Sequence, residues 1–198
     1  MLFYEIFLNL LGFFIFLFVF WKKLKEDYLS SQIFTTAFYV IFLASIFLLV
    51  SHFLLPNFWF WALFLAFLTG VFLGRWRFSL HFYEVYEAGI VGLLPWLSFF
   101  FLLDAMKTTS WYSFCGFLFS WLLVLLYIFL NLHYKSFSWY KSGKVGFSAL
   151  VVTIVFFLAR MIVAIFFPSM VSLSGSFEAL ISGIFSFFSF LLLFILSR

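Results

Sequence analysis

One arginine stands inside an apolar run: "VTIVFFLARMIVAIFFP", Val152 to Pro168. Burying Arg160 in a membrane helix costs roughly 3 kcal/mol on insertion scales, so it needs a partner or a purpose. The partner offered by spacing is Glu178, which opens the next apolar segment across a short connection. The purpose offered by chemistry is a phosphate, because the planar guanidinium fork matches an oxyanion. Glu5, Asn9 and His52 lie at comparable depth in other segments and complete the candidate set for holding a lipid headgroup. Two readings of Arg160 stay open: a lipid-phosphate ligand, or one half of a structural Arg160–Glu178 pair.

The elements that must position these groups are membrane spans. Of the 198 residues, 67% are hydrophobic and 9% charged, and the mean hydropathy is +1.24. A soluble domain is about half apolar and about a quarter charged. Seven segments of 17 to 23 residues can be marked: 2–21, 33–55, 58–74, 85–103, 111–132, 147–167 and 177–197. Each is long enough to cross a hydrocarbon core of about 30 Å as a helix. The expected fold is an all-α bundle of seven transmembrane helices forming a single domain over 1–198. The first segment, with no basic leader or small-residue cleavage site, reads as a retained span.

Basic residues are unevenly placed. Lys22, Lys23, Lys25, Arg75, Arg77, Lys135, Lys141, Lys144 and Arg198 fall on one set of connections and Lys107 on the other. The positive-inside rule then puts the N-terminus outside and the C-terminus in the cytoplasm. Trp21, Trp76 and Trp139 are expected at the inner boundary and Trp59, Trp61 and Trp111 at the outer one, as interfacial anchors. Asp104 and Lys107 read as a solvated outer turn.

Helical spacing gives three polar or small-residue stripes: Glu5, Asn9, Gly12; Ala149, Thr153, Arg160, Ala164; and Glu178, Ser182, Ser186, Ser189. Small residues permit close helix contact, so the last two stripes are expected to pack together. His52 shares a face with Ser45. Thirty-eight phenylalanines read as apolar filler against lipid.

Several chemistries are excluded. A single cysteine, Cys115, leaves no disulfide and no cysteine-based metal site. His81, Glu84 and Glu87 recur at spacings of three but make a poor ligand set without a second His or a Cys, so no metal is expected. Glu84 and Glu87 are instead expected beside Arg75 or Arg77. "YKSGKVGF" lacks the Gly-Lys-Ser/Thr ending of a phosphate loop, and no cofactor motif occurs. The dispersed charge of +4 does not point to nucleic acid. No internal repeat supports an inverted-repeat transporter.

Four stretches carry a family resemblance: "FVFWKKLKEDYLSSQIF", "GRWRFSLHFYEVYEA", "SGKVGFSALVVTIVFFLARMIVAIFF" and "SFEALISGIFSFFSFLLLFIL". Together they resemble, in a shortened and divergent form, the prolipoprotein diacylglyceryl transferases, seven-span bacterial membrane enzymes with an outer N-terminus. In that likeness Arg160-Met161 fills the place of an Arg-Phe pair, and Glu87 that of an acidic residue after the third span. Other motifs of the family are replaced: "LAS" (Leu43–Ser45) stands for Gly-Ala-Arg, "NFWFWALFLAFLTG" has no His-Gly-Gly, and "SFFFLLDAM" stands near the place of Gly-Arg-x-Gly. The resemblance implies a bacterial cell membrane, phosphatidylglycerol as the bound lipid and lipoprotein precursors as partners. It implies transfer of a diacylglyceryl group to a cysteine thiol, for which most of the family's motifs are missing here. The alternative expectation is a non-enzymatic scaffold or partner subunit with a structural Arg160–Glu178 pair.

Overall fold

The computed structural model describes residues 2–137, 140, 145–166 and 175–197. Trp139, Lys141, Lys144, Pro168 and Arg198, named above, lie outside them. The described residues form seven long helices: α1 (Leu2–Leu24), α2 (Ser30–Leu54), α3 (Trp59–Phe78), α4 (Phe82–Thr108), α5 (Trp111–His133), α6 (Phe147–Phe166) and α7 (Gly175–Ser197). All seven are long and apolar enough to cross a membrane. No strand occurs among the described residues, and the all-α seven-helix bundle is as expected.

The helices run a little past the apolar segments because their polar ends are also helical. Lys22 and Lys23 close α1, and Arg75 and Arg77 close α3, where cations complement the carbonyl end of the helix dipole. Pro95 does not break α4, which continues for thirteen residues to Thr108, and the Ser98 hydroxyl donates to the Pro95 carbonyl. Left-handed residues end two helices, Ser79 after α3 (φ 56°) and Thr109 after α4 (φ 50°).

Because successive helices alternate in direction, the connections after α1, α3 and α5 gather at one end, here the basic face. The start of α1 and the connections after α2 and α4 gather at the other, the N-terminal face. The main helix pairings are α1 with α4, α2 with α3, α4 with α5, and α6 with α7. Helix α4 touches α1, α3, α5 and α6, so it is the hub.

Glycines set the closest approaches. A Cβ on Gly70 would stand 2.7 Å from the Val40 Cα, and one on Gly74 would stand 2.3 Å from the Thr36 Cγ2. This Gly-x-x-x-Gly face of α3 lets the α2 backbone come close, as small residues do where lipid offers no hydrophobic drive between helices. Gly12 and Gly92 do the same for α1 and α4, under the rings of Trp96 and Phe16.

Packing is uneven along the bundle. Toward the basic face Phe16, Phe20, Leu24, Ile33, Ala37, Val71 and Val85 form a closed core. Nearer the N-terminal face the α2–α3 hairpin stands away from the α1–α4 pair, leaving an apolar cavity of about 300 Å³.

Candidate functional site

Arg160 and Glu178 meet. The Arg160 Nε donates to Oε1 of Glu178, whose side chain is fully buried. The other carboxylate oxygen accepts the indole N–H of Trp61 at 2.9 Å, and the Ser182 hydroxyl donates to Oε1 at 3.0 Å. The guanidinium carbon lies 3.7 Å from the centre of the Phe60 ring, a cation–π contact. Three helices thus converge: α6 brings the cation, α7 the carboxylate and a serine, and α3 an indole and a phenyl face. Glu178 and Ser182 reach this point together because they are four residues apart on α7.

The serine stripe of α7 packs on α6 as its spacing predicts. Ser182, Ser186 and Ser189 are buried, whereas Thr153 of the α6 stripe turns to α4 and meets the Tyr86 hydroxyl. The Ser186 hydroxyl donates across the interface to the Ile154 carbonyl. Trp61 departs from its expected role as an interfacial anchor. It is buried and hydrogen-bonded to Glu178 of α7, whereas Trp59, two residues earlier, faces the cavity and stacks on Phe100 of α4.

The other three candidates lie elsewhere. Glu5 forms an ion pair with Lys107 (3.0 Å), tying α1 to α4 at the N-terminal face; Lys107 and Asp104, expected in a solvated outer turn, are both exposed but lie within the end of helix α4. Asp104 accepts the Ser113 hydroxyl across the α4–α5 connection. Asn9 donates to the Glu5 carbonyl within α1 and borders the apolar cavity. His52 is exposed, in an open groove with Leu49 and Pro56. Of the four residues grouped with Arg160 by depth, Glu178 meets it, while Glu5, Asn9 and His52 take the other places just described.

The cavity relates them. Its walls include Asn9 and Phe16 of α1, Ser45 of α2, Phe60 of α3, Trp96 of α4 and Phe157 of α6. Ser45, Leu48 and Trp59 border both the cavity and the His52 groove, so the two spaces share a wall. Phe60 separates the cavity from Arg160: one ring lines the space and carries the guanidinium. Apart from the indole N–H groups of Trp59 and Trp96, the polar side chains on the cavity wall are Asn9, Ser45 and Thr153, and no ionisable group borders it among the described residues. Thr153 is itself paired with the Tyr86 hydroxyl at 2.9 Å.

A second polar cluster occupies the basic face, and Glu87 is its centre. Glu87 is buried and takes three donors: Lys23 Nζ at 2.9 Å, the Tyr127 hydroxyl at 2.7 Å and the Gly146 backbone N–H at 2.8 Å. Asn131 accepts a further hydrogen bond from Lys23. The cluster joins α1, α4 and α5 to the start of α6, with the carboxylate at a helix N-terminus where an anion is favoured. The expected neighbours of Glu87, Arg75 and Arg77, are replaced by Lys23, because α1 and not the end of α3 packs along this face of α4. Glu84, one turn earlier, accepts the Tyr28 hydroxyl. Tyr28 lies in the α1–α2 connection, and burial together with the neighbouring Glu84 carboxylate pushes its phenol up to about 12.

No family model matches the chain, and no curated protein or solved structure is similar to it. The fold and the site define a multi-pass helical membrane protein.

Proposed function

We propose that this protein holds a membrane phospholipid, with an acyl chain in the cavity between the α2–α3 hairpin and the α1–α4 pair. The observation that carries the reading is the cavity itself: about 300 Å³, apolar, at membrane depth and bordered by the exposed Ser45 and Leu48. A ligand pocket of this size with few polar groups suits a hydrocarbon chain. The headgroup then lies at the N-terminal face, beside His52 in the adjoining groove. The basic residues support an orientation with that face outside and the basic face in the cytoplasm of a bacterial cell.

Diacylglyceryl transfer, the activity implied by the resemblance, needs a cation on the lipid phosphate and a base for a thiol. The cavity wall offers neither, and Arg160 is held by Glu178 behind the Phe60 ring. The proposal is therefore lipid holding without transfer, with Arg160–Glu178 as a structural pair, and an anionic headgroup such as phosphatidylglycerol is bound without that arginine. The same pair suits a scaffold or partner subunit, for instance one meeting lipoprotein precursors.

Mass spectrometry of co-purified lipids tests this. Ala44→Phe fills the cavity and is expected to deplete the lipid retained by the wild-type protein. The double variant Arg160→Leu, Glu178→Gln is expected to retain it. Loss of phosphatidylglycerol in the double variant with Ala44→Phe unaffected would overturn the cavity reading in favour of Arg160. A transfer assay with phosphatidylglycerol and a lipobox peptide is expected to give no product.

A further inference from the structure

The polar cluster on the basic face encloses a second space, of about 180 Å³, distinct from the apolar cavity. Its described walls carry the carboxylates of Asp27, Glu84 and Glu87 against the cation Lys23, with Asn131, Ser148 and the Tyr134 phenol as neutral polar groups. Among the described residues on the wall, three anions and one cation leave a formal charge of −2. The Glu87 charge is met by Lys23 and the α6 N-terminus, as described above. Asp27 has no ion-pair partner among the described residues, and Glu84 has only the Tyr28 phenol and the adjacent His81.

Ser148 supplies an independent sign of a ligand. The residue is 2% exposed, yet its hydroxyl makes no hydrogen bond among the described residues. Every fully enclosed polar side-chain atom among them has a partner. The Ser148 hydroxyl escapes that set because it borders the open space, on the first turn of α6. A buried hydroxyl left without a partner is costly unless something entering the space completes it.

We propose that this space binds a small primary ammonium group, either free in solution or as the headgroup of an aminophospholipid. An ammonium carries three donors and no acceptor. The donors are matched by the Asp27 and Glu84 carboxylates and the Ser148 hydroxyl, while its charge offsets the excess of carboxylates. No group of three or more His, Cys, Asp or Glu residues among the described residues is placed to hold a metal ion, which sets the ammonium above a bare divalent cation. The volume of about 180 Å³ is room for several waters. That admits an ethanolamine.

The test is thermal unfolding of the whole detergent-purified protein with ethanolamine, with choline as the cation that lacks N–H donors, and with sodium chloride at equal ionic strength. Ethanolamine is expected to raise the midpoint saturably and choline and salt are not. Binding in Asp27→Asn and in Ser148→Ala is expected to be about tenfold weaker, the loss of one hydrogen bond to a charged group. Both changes are small, and an unliganded midpoint near that of the wild type shows that the variants fold. The source is read from nanodiscs: stabilisation by phosphatidylethanolamine over phosphatidylcholine, with no response to free ethanolamine, assigns the site to a lipid headgroup. Equal responses to choline and ethanolamine, responses unchanged in both variants, or no saturable shift with either amine source would each overturn the proposal.

Discussion

At the residue scale, Glu178 holds more of the fold than its length suggests. Its two oxygens take donors from Arg160, Trp61 and Ser182, so one carboxylate fixes α3 against α6 and α7. Removing one member of a buried pair strands the other's charge and costs about 3–5 kcal/mol, whereas replacing both is close to neutral. Arg160→Leu alone is therefore expected to lose about that much stability in reversible unfolding from mixed micelles. Adding Glu178→Gln is expected to restore most of it, since the amide oxygen still accepts the Trp61 indole. A double variant as unstable as the single one would mean that the charge pair itself, not the stranded carboxylate, holds these helices.

At the scale of elements, the α2–α3 hairpin depends on α3 presenting no side chain at two positions. A methyl on Gly70 would meet the Val40 backbone, which cannot rotate away. Gly70→Ala is expected to cost about 1–3 kcal/mol through forced separation of the helices. Gly183 on α7 gives the contrast: its added methyl would meet only the sulfur of Met161, at 3.1 Å. Methionine yields readily, and alanine favours helix over glycine by about 1 kcal/mol. Gly183→Ala is expected to be neutral or stabilising in the same unfolding measurement. Equal losses at the two positions would show that backbone approach does not set the cost.

At the scale of the whole molecule, the bundle has a closed half and an open half. The closed half lies toward the basic face, where the aromatic and aliphatic core and the Glu87 cluster join four helices. The open half contains the apolar cavity and, at the N-terminal face, the Glu5–Lys107 pair. The proposed orientation is testable on the intact chain. In a Cys115→Ser background, Thr109→Cys at the N-terminal face is expected to react with a membrane-impermeant maleimide on whole cells. Ser136→Cys at the basic face is expected to react only after permeabilisation. The reverse pattern would invert the topology and move the cavity to the cytoplasmic leaflet.

The sequence by itself determined the class of protein and its elements. Seven apolar segments can satisfy their backbone groups in lipid only as helices, so composition and length sufficed, and even Pro95 did not interrupt α4. The Arg160–Glu178 pairing was legible too, because a short connection and helical spacing bring α6 and α7 together. What only the tertiary structure decided was how non-consecutive helices pack. Lys23 and Glu87 are 64 positions apart, and Trp61 and Glu178 are 117 apart, with no periodicity linking them. Chains so rich in phenylalanine offer nearly equivalent apolar faces, so hydropathy alone does not choose a helix's neighbours. The choice rests on a few glycines that admit a neighbouring backbone or ring, and on buried carboxylates that must find donors. Both become visible only once the helices are assembled.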